Sequence, residues 1–131
     1  MNLNHERERK EIVIDNTHPV FAGSPLERDE FKFRCRVLEL AEEMRINRKN
    51  TRKGRKGRDD TDQLEVILDT LDAVVMGWEG VNDTKGAPIA CTSENKRKIF
   101  NAYPEIAGYL SDALAEARDQ NITEAEEAQK N

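Results

Sequence analysis

Apolar positions along the chain fall into five groups separated by polar or turn-forming segments. The first is short: Ile12, Val13 and Ile14 form a β-branched run ended by Pro19, Gly23 and Pro25, which predicts one short strand or hairpin. Phe33, Val37, Leu40, Ala41 and Met44 then share one face at helical spacing, which predicts a first helix from about Pro25 to Asn47. Pro25 in its first turn and Glu27, Asp29 and Glu30 behind it suit the positive end of the helix dipole. A second helix is expected from the capping residues Asp59 to Asp62 as far as about Trp78. Leu64, Ile67, Leu68, Leu71, Val74, Val75 and Trp78 make it the most hydrophobic and the centre of the core.

Gly80, Asn82, Asp83, Gly86 and Pro88 are turn formers, with a tight turn expected at Asp83 to Gly86. Thr92 or Ser93 caps a third helix that runs to about Ala102 and carries Ile99 and Phe100 inward. Pro104 opens a fourth helix, in which Ile106, Ala107, Leu110, Ala113, Leu114 and Ala117 share a face. The two helices meet at a sharp corner. No repeat or long heptad pattern is present, so the expected fold class is mainly α: a small bundle of about four helices with a short N-terminal strand or hairpin.

Composition modifies this picture. The 131 residues suit one domain, but 36% are charged against a usual figure of about 25%, so part of the chain lies outside any core. That excess sits in residues 1–10, 45–58 and 120–131, which hold almost no large apolar side chains. The expected organisation is a disordered N-terminus over 1–10, a single helical domain over 11–119 with an exposed basic loop at 45–58, and a flexible C-terminal tail over 120–131. No apolar run approaches the roughly 18 residues of a membrane span, and the first 30 residues lack a secretory pattern. The sequence therefore reads as cytoplasmic, with no membrane partner and with Cys35 and Cys91 as packing thiols.

Candidate chemistry is sparse. His5 and His18 lie in loop-like surroundings with no glycine elbow or cysteine signature, so the chain reads as a non-enzyme without catalytic residues. Asp59, Asp60 and Asp62 lack the spaced oxygen ligands of a calcium loop, and Gly54 and Gly57 lack the surroundings of a phosphate loop, so no metal or other cofactor is expected. The basic run is the strongest signal. With the chain at −5 and the eight basic side chains of residues 45–58 at +8, the remainder sits at −13. Such a segment suits acidic protein surfaces, with a small nucleic-acid-binding or regulatory protein as the alternative reading. Against nucleic acid stand the lack of aromatic residues for stacking and the acidic remainder of the surface. Trp78 is read as a core residue, in register with Leu71 and Val75.

One stretch carries a resemblance. Met76-Gly77-Trp78-Glu79-Gly80-Val81-Asn82-Asp83, then Lys85-Gly86-Ala87-Pro88-Ile89, Thr92-Ser93-Glu94-Asn95 and the Tyr103-Pro104 junction resemble the phage tail assembly chaperones over roughly Asp62 to Ala117. Matched to that family's pattern are Gly77, Trp78, Gly80, Asp83, Gly86, Pro88, Thr92 and Pro104, which look structural. The resemblance implies a host-cytoplasmic chaperone that is absent from the mature virion and needs no nucleotide or metal. Its implied partners are the tape measure protein and the tail tube protein, kept soluble before the tube polymerises. In many members a longer form arises by ribosomal frameshifting, with which the ending Gln129-Lys130-Asn131 is compatible. Phe31, Leu64 and Leu68 are the candidate apolar contacts, Arg48, Arg52 and Arg55 the candidate basic ones, and self-association into a homo-oligomer through the same face is a further expectation.

Overall fold

The computed structural model describes residues 11–53 and 59–129, with side chains for residues 11–52 and 60–119. Its architecture is mixed α/β and corrects the expected helical bundle. Strands β1 (Glu11–Asp15), β2 (Lys32–Arg36) and β5 (Val75–Glu79) form an antiparallel sheet in the order β1-β2-β5. Between β2 and β5 come α1 (Leu40–Lys49), a hairpin of β3 (Thr51–Lys53) and β4 (Asp59–Thr61), and α2 (Gln63–Val74). After β5 come α3 (Ser93–Ala102) and α4 (Pro104–Gln129). No helix among the described residues is long and apolar enough to cross a membrane.

The expected first helix is the main error. Residues Pro25–Arg28 make only a single 3-10 turn, and Lys32–Arg36 is the central strand, with Phe33 and Cys35 buried and Lys32 and Arg34 exposed. Charged and apolar residues alternate there with the period of a strand, and the four-residue step from Phe33 to Val37 imitates a helix. The expected second helix also stops early. At Val74 the chain leaves helical geometry and continues directly as β5, where Val74 and Val75 favour extension and Gly77 disfavours a further helical turn. Lys96 on α3 fixes this change of direction: its ammonium donates to the carbonyls of Asp72 (2.8 Å) and Val75 (3.1 Å) at the C-terminal end of α2. Pairing with β2 slips between Arg34 and Cys35, leaving Met76 as a bulged, exposed residue.

The basic stretch is not one loop. Arg45, Arg48 and Lys49 lie on α1, Arg52 and Lys53 on β3, and Arg55, Lys56 and Arg58 lie outside the described residues. The backbone of α4 continues to Gln129, where a flexible tail was expected beyond Asp119. Helices α3 and α4 start where the sequence places them, with the Thr92 hydroxyl accepting from Asn95 N–H (3.2 Å) and Pro104 at the head of α4.

The core lies between the sheet and the helices. Ile14, Phe33, Cys35, Val75 and Trp78 meet Leu68, Leu71 and Val74 of α2, Phe100 of α3, and Ala107, Leu110 and Ala113 of α4. Aromatic rings run through it in mostly edge-on contacts: Tyr109 to Phe21 (5.4 Å), Phe21 to Phe31 (5.0 Å), Phe31 to Phe33 (5.6 Å), Phe33 to Trp78 (6.2 Å) and Trp78 to Phe100 (6.4 Å). Cys35 is fully enclosed, and burial pushes its thiol up to about 12. Both cysteines are free thiols, as a packing role requires.

Candidate binding groove

Beyond β5 the chain must turn back across the end of the sheet. Gly80 makes this step at φ +76°, and its α-carbon lies so close to the Glu30 carbonyl that a side chain would collide with the backbone. Val81 to Ile89 then form a small loop closed by Ile89 N–H to the Val81 carbonyl (2.9 Å) and Asp83 N–H to the Ala87 carbonyl (2.9 Å). The Asp83 carboxylate accepts from Lys85 N–H (2.8 Å) and Ala87 N–H (2.9 Å), while Gly86 N–H reaches the Asp83 carbonyl (3.0 Å). Gly86 supplies the positive φ this turn needs. The Trp78 indole N–H donates to the Ile89 carbonyl (2.7 Å), so the buried ring is satisfied and the loop is tied to the core.

Held this way, the loop forms one wall of a groove of about 640 Å³. Leu26, Phe31, Val81 and Ile89 line it, and Ile99, Tyr103 and Ile106 from the α3–α4 corner complete the apolar lining. Asp29, Glu30 and Asp83 bring negative charge to it, and no positively charged side chain among the described residues lines it. Tyr103 is half exposed at 53%. The volume lies within the roughly 300–1,000 Å³ usual for binding pockets. A second cavity of about 210 Å³ lies between α1, α2 and α4, among Val37, Leu38, Ile46, Val66 and Leu114.

Ion pairs lock the groove's α3 side to α2. The Arg97 guanidinium spans two acids one helical turn apart, Glu65 (2.5 Å) and Asp69 (2.6 Å). Burial works against charge on Asp69, but hydrogen bonds from Asn50 and Arg97 outweigh it and hold the carboxyl below the usual range. Ser93 Oγ donates to Asp72 (2.8 Å), beside the ion pair of Lys96 with the same residue (3.1 Å).

The predicted site residues divide. Gly80, Asp83, Gly86, Pro88, Thr92 and Pro104 build the loop, the cap and the corner around the groove, and Trp78 anchors it. Over Gly77 lies the side chain of Arg34, a flexible neighbour that can move away. Phe31 lines the groove and Leu64 is exposed, but Leu68 is buried at 5% in the core and unavailable to a partner, because the inward face of α2 includes it with Leu71. Arg48 and Arg52 are exposed and Arg55 lies outside the described residues, so the apolar and basic candidates do not line one cavity. His18 caps a 3-10 turn through Nδ1, which accepts from Val20 N–H (3.1 Å), and His5 lies outside the described residues. Asp62 caps α2 by accepting from Glu65 N–H (3.2 Å). Sequence reading missed Leu26, Val81, Tyr103 and Ile106 as groove residues, and Lys96 and Arg97 as its clamps. The one signal for the clamps was the spacing of Glu65, Asp69 and Asp72 on one face of α2, which calls for cations opposite. Comparisons of the chain with known protein families, curated proteins and solved structures found no match.

Proposed function

We propose that this chain is a non-catalytic phage tail assembly chaperone that binds the tape measure protein, the tail tube protein, or both, and keeps them soluble in the host cytoplasm before the tube polymerises. One observation carries the reading. The segment that resembles that family is also the segment that walls the groove, from Gly80 through the Asp83 turn and the Thr92 cap to the Tyr103-Pro104 corner. A chaperone of this kind needs a preformed apolar recess with a polar rim, which holds an exposed segment of its client weakly enough to release it. Arg45 and Arg48, exposed on α1 away from the groove, then add an electrostatic contact to acidic stretches elsewhere on a client.

The nucleic-acid alternative is weakened by the β3–β4 register, which sets Arg52 opposite Asp60 and Lys53 opposite Asp59. Two measurements decide between the readings. Co-expression with the tape measure or tail tube protein encoded beside this chain is expected to raise client solubility and to co-purify the pair, and failure of both for both clients ends the chaperone reading. Titration with DNA and RNA at two salt concentrations is expected to show no tight complex, whereas strong, salt-sensitive binding abolished by neutralising residues 45–58 favours the alternative.

A further inference from the structure

We infer that the groove selects client segments pairing a bulky apolar anchor with flanking lysine or arginine, and rejects acidic ones. The inference rests on the reading of the groove as the client site. Its apolar part is built from Phe31, Ile89, Ile99 and Tyr103, wide enough for two or three side chains but too open to hold an apolar group by shape alone. Its charge is of one sign. Asp29, Glu30 and Asp83 all line it, and none of the described lining residues is cationic. From Glu30 the negative rim continues along the sheet end to Asp15 and Glu79, with Lys32 the one cation there. An apolar segment entering here gains from burial, and a cation beside it gains from the rim, while an acidic flank meets like charge.

Two polar stretches of the chain itself do not fit this description. Its basic segment brings charge without an anchor, because Ile46, its one large apolar residue, lines the cavity between α1, α2 and α4. The last stretch of sequence carries Glu124, Glu126 and Glu127, the sign the rim repels. A second protein of the stated chemistry is the occupant that the one-signed rim fits, and a second copy of this chain, whose residues 1–10 also carry Leu3 with Arg7, Arg9 and Lys10, is the competing outcome in the test.

The test uses the full chain and three labelled twelve-residue peptides: an isoleucine- and leucine-bearing segment flanked by lysines, the same segment flanked by glutamates, and the lysine-flanked segment with serines replacing the apolar residues. Fluorescence anisotropy is expected to show binding of the first and at least about tenfold weaker binding of the other two, with the first weakening as salt is raised. Tyr103→Ala is expected to weaken the first peptide about tenfold, and the pair Asp29→Asn with Glu30→Gln is expected to reduce discrimination between lysine and glutamate flanks about threefold, Asp83 remaining in the rim. These positions are at the surface, and an unchanged circular dichroism melt establishes that the variants fold. Equal binding of the two apolar peptides, or no effect of Tyr103→Ala, overturns the inference. So does a concentration-dependent dimer in sedimentation that Tyr103→Ala dissolves, which would assign the groove to a second copy. Client capture that survives all three substitutions removes the groove and leaves the chaperone reading intact. Peptide selectivity without capture of either tail protein removes the tail clients and leaves the groove chemistry intact.

Discussion

The corner formed by β5, the Val81–Ile89 loop and α3, and the arm formed by α1 and the β3–β4 hairpin, are held in place by different physics. The corner is fixed by buried apolar side chains and by hydrogen bonds to backbone carbonyls: Trp78 and Phe100 lie in the core, the indole holds Ile89, and Lys96 holds the end of α2. The arm has no buried residue on α1, and Leu40 and Met44 are exposed. Polar contacts attach it, among them Arg36 to Glu42 (2.6 Å), Arg118 to Glu43 (3.0 Å) and the Lys49–Asn50 contacts to Asp69. Interactions of the first kind fix shape to within a rotamer, whereas partly exposed ion pairs of the second kind contribute less each and weaken with salt. The corner therefore suits selective recognition of a partner and the arm suits adaptable charge.

Substitutions separate the two regions, beginning with the largest expected effect. Phe100→Ala opens a cavity where α3 meets the sheet and is expected to destabilise the fold by about 3–5 kcal/mol in chemical denaturation, while Met44→Ala on the arm stays within about 0.5 kcal/mol. A loss at Met44 equal to that at Phe100 would erase the distinction. Gly80→Ala combines a left-handed backbone with a collision against Glu30 and is expected to lower stability by about 3 kcal/mol or more. Gly86→Ala, with the same sign of φ but open space around it, is expected to lower stability by about 1–2 kcal/mol. Equal melting temperatures for the two variants would show that crowding at Gly80 is relieved. Trp78→Phe keeps the aromatic packing but leaves the Ile89 carbonyl without its donor, for an expected cost of about 1–2 kcal/mol and faster amide exchange within the loop.

Acid provides the mildest test and reaches the contacts that attach the arm. Hydrogen bonds from Arg36 hold the Glu42 carboxyl below its ordinary range, and Asp69 is also lowered, though against burial. A folded-state pKa below the unfolded one means that the unfolded chain binds more protons as the pH drops. These groups therefore contribute stability that is fully present above the usual carboxylate range, near pH 4, and is lost as pH falls through their lowered values. Melting temperature is expected to decline through this window in the native chain and to decline less in Arg36→Ala, whose Glu42 has returned toward the ordinary value. An identical acid slope in both proteins would show that the Arg36 pair contributes nothing.

How legible these regions were depends on how local their signals are. Thr92, Pro104 and the Asp83 to Gly86 turn act within a few residues of themselves, so α3, the start of α4 and the loop could be read directly. Strands β2 and β5 could not. Each is five residues long, and their apolar residues fall equally well on a helical face: Phe33 precedes Val37 by four, and Trp78 follows Val74 by four. Only their pairing across some forty residues settles them as strands, and that pairing is non-local. Three of the groove's walls were likewise hidden, because Leu26, Val81 and Tyr103 come from separate turns whose meeting depends on the sheet. Leu68 misled for a related reason: a bundle of four helices has less core than a helix layer pressed on a sheet, so surface was assigned to α2 where the sheet covers it.

The register of the β3–β4 hairpin has one practical consequence. Thr51 and Thr61 pair across its base, with their hydroxyls 2.9 Å apart, so the ends of the connection between the strands are already brought together. A connection closed at its base lengthens cheaply, at about 0.6 kcal/mol for each doubling. An affinity tag or a fluorophore inserted between Lys53 and Asp59 therefore gives a handle that costs the fold little.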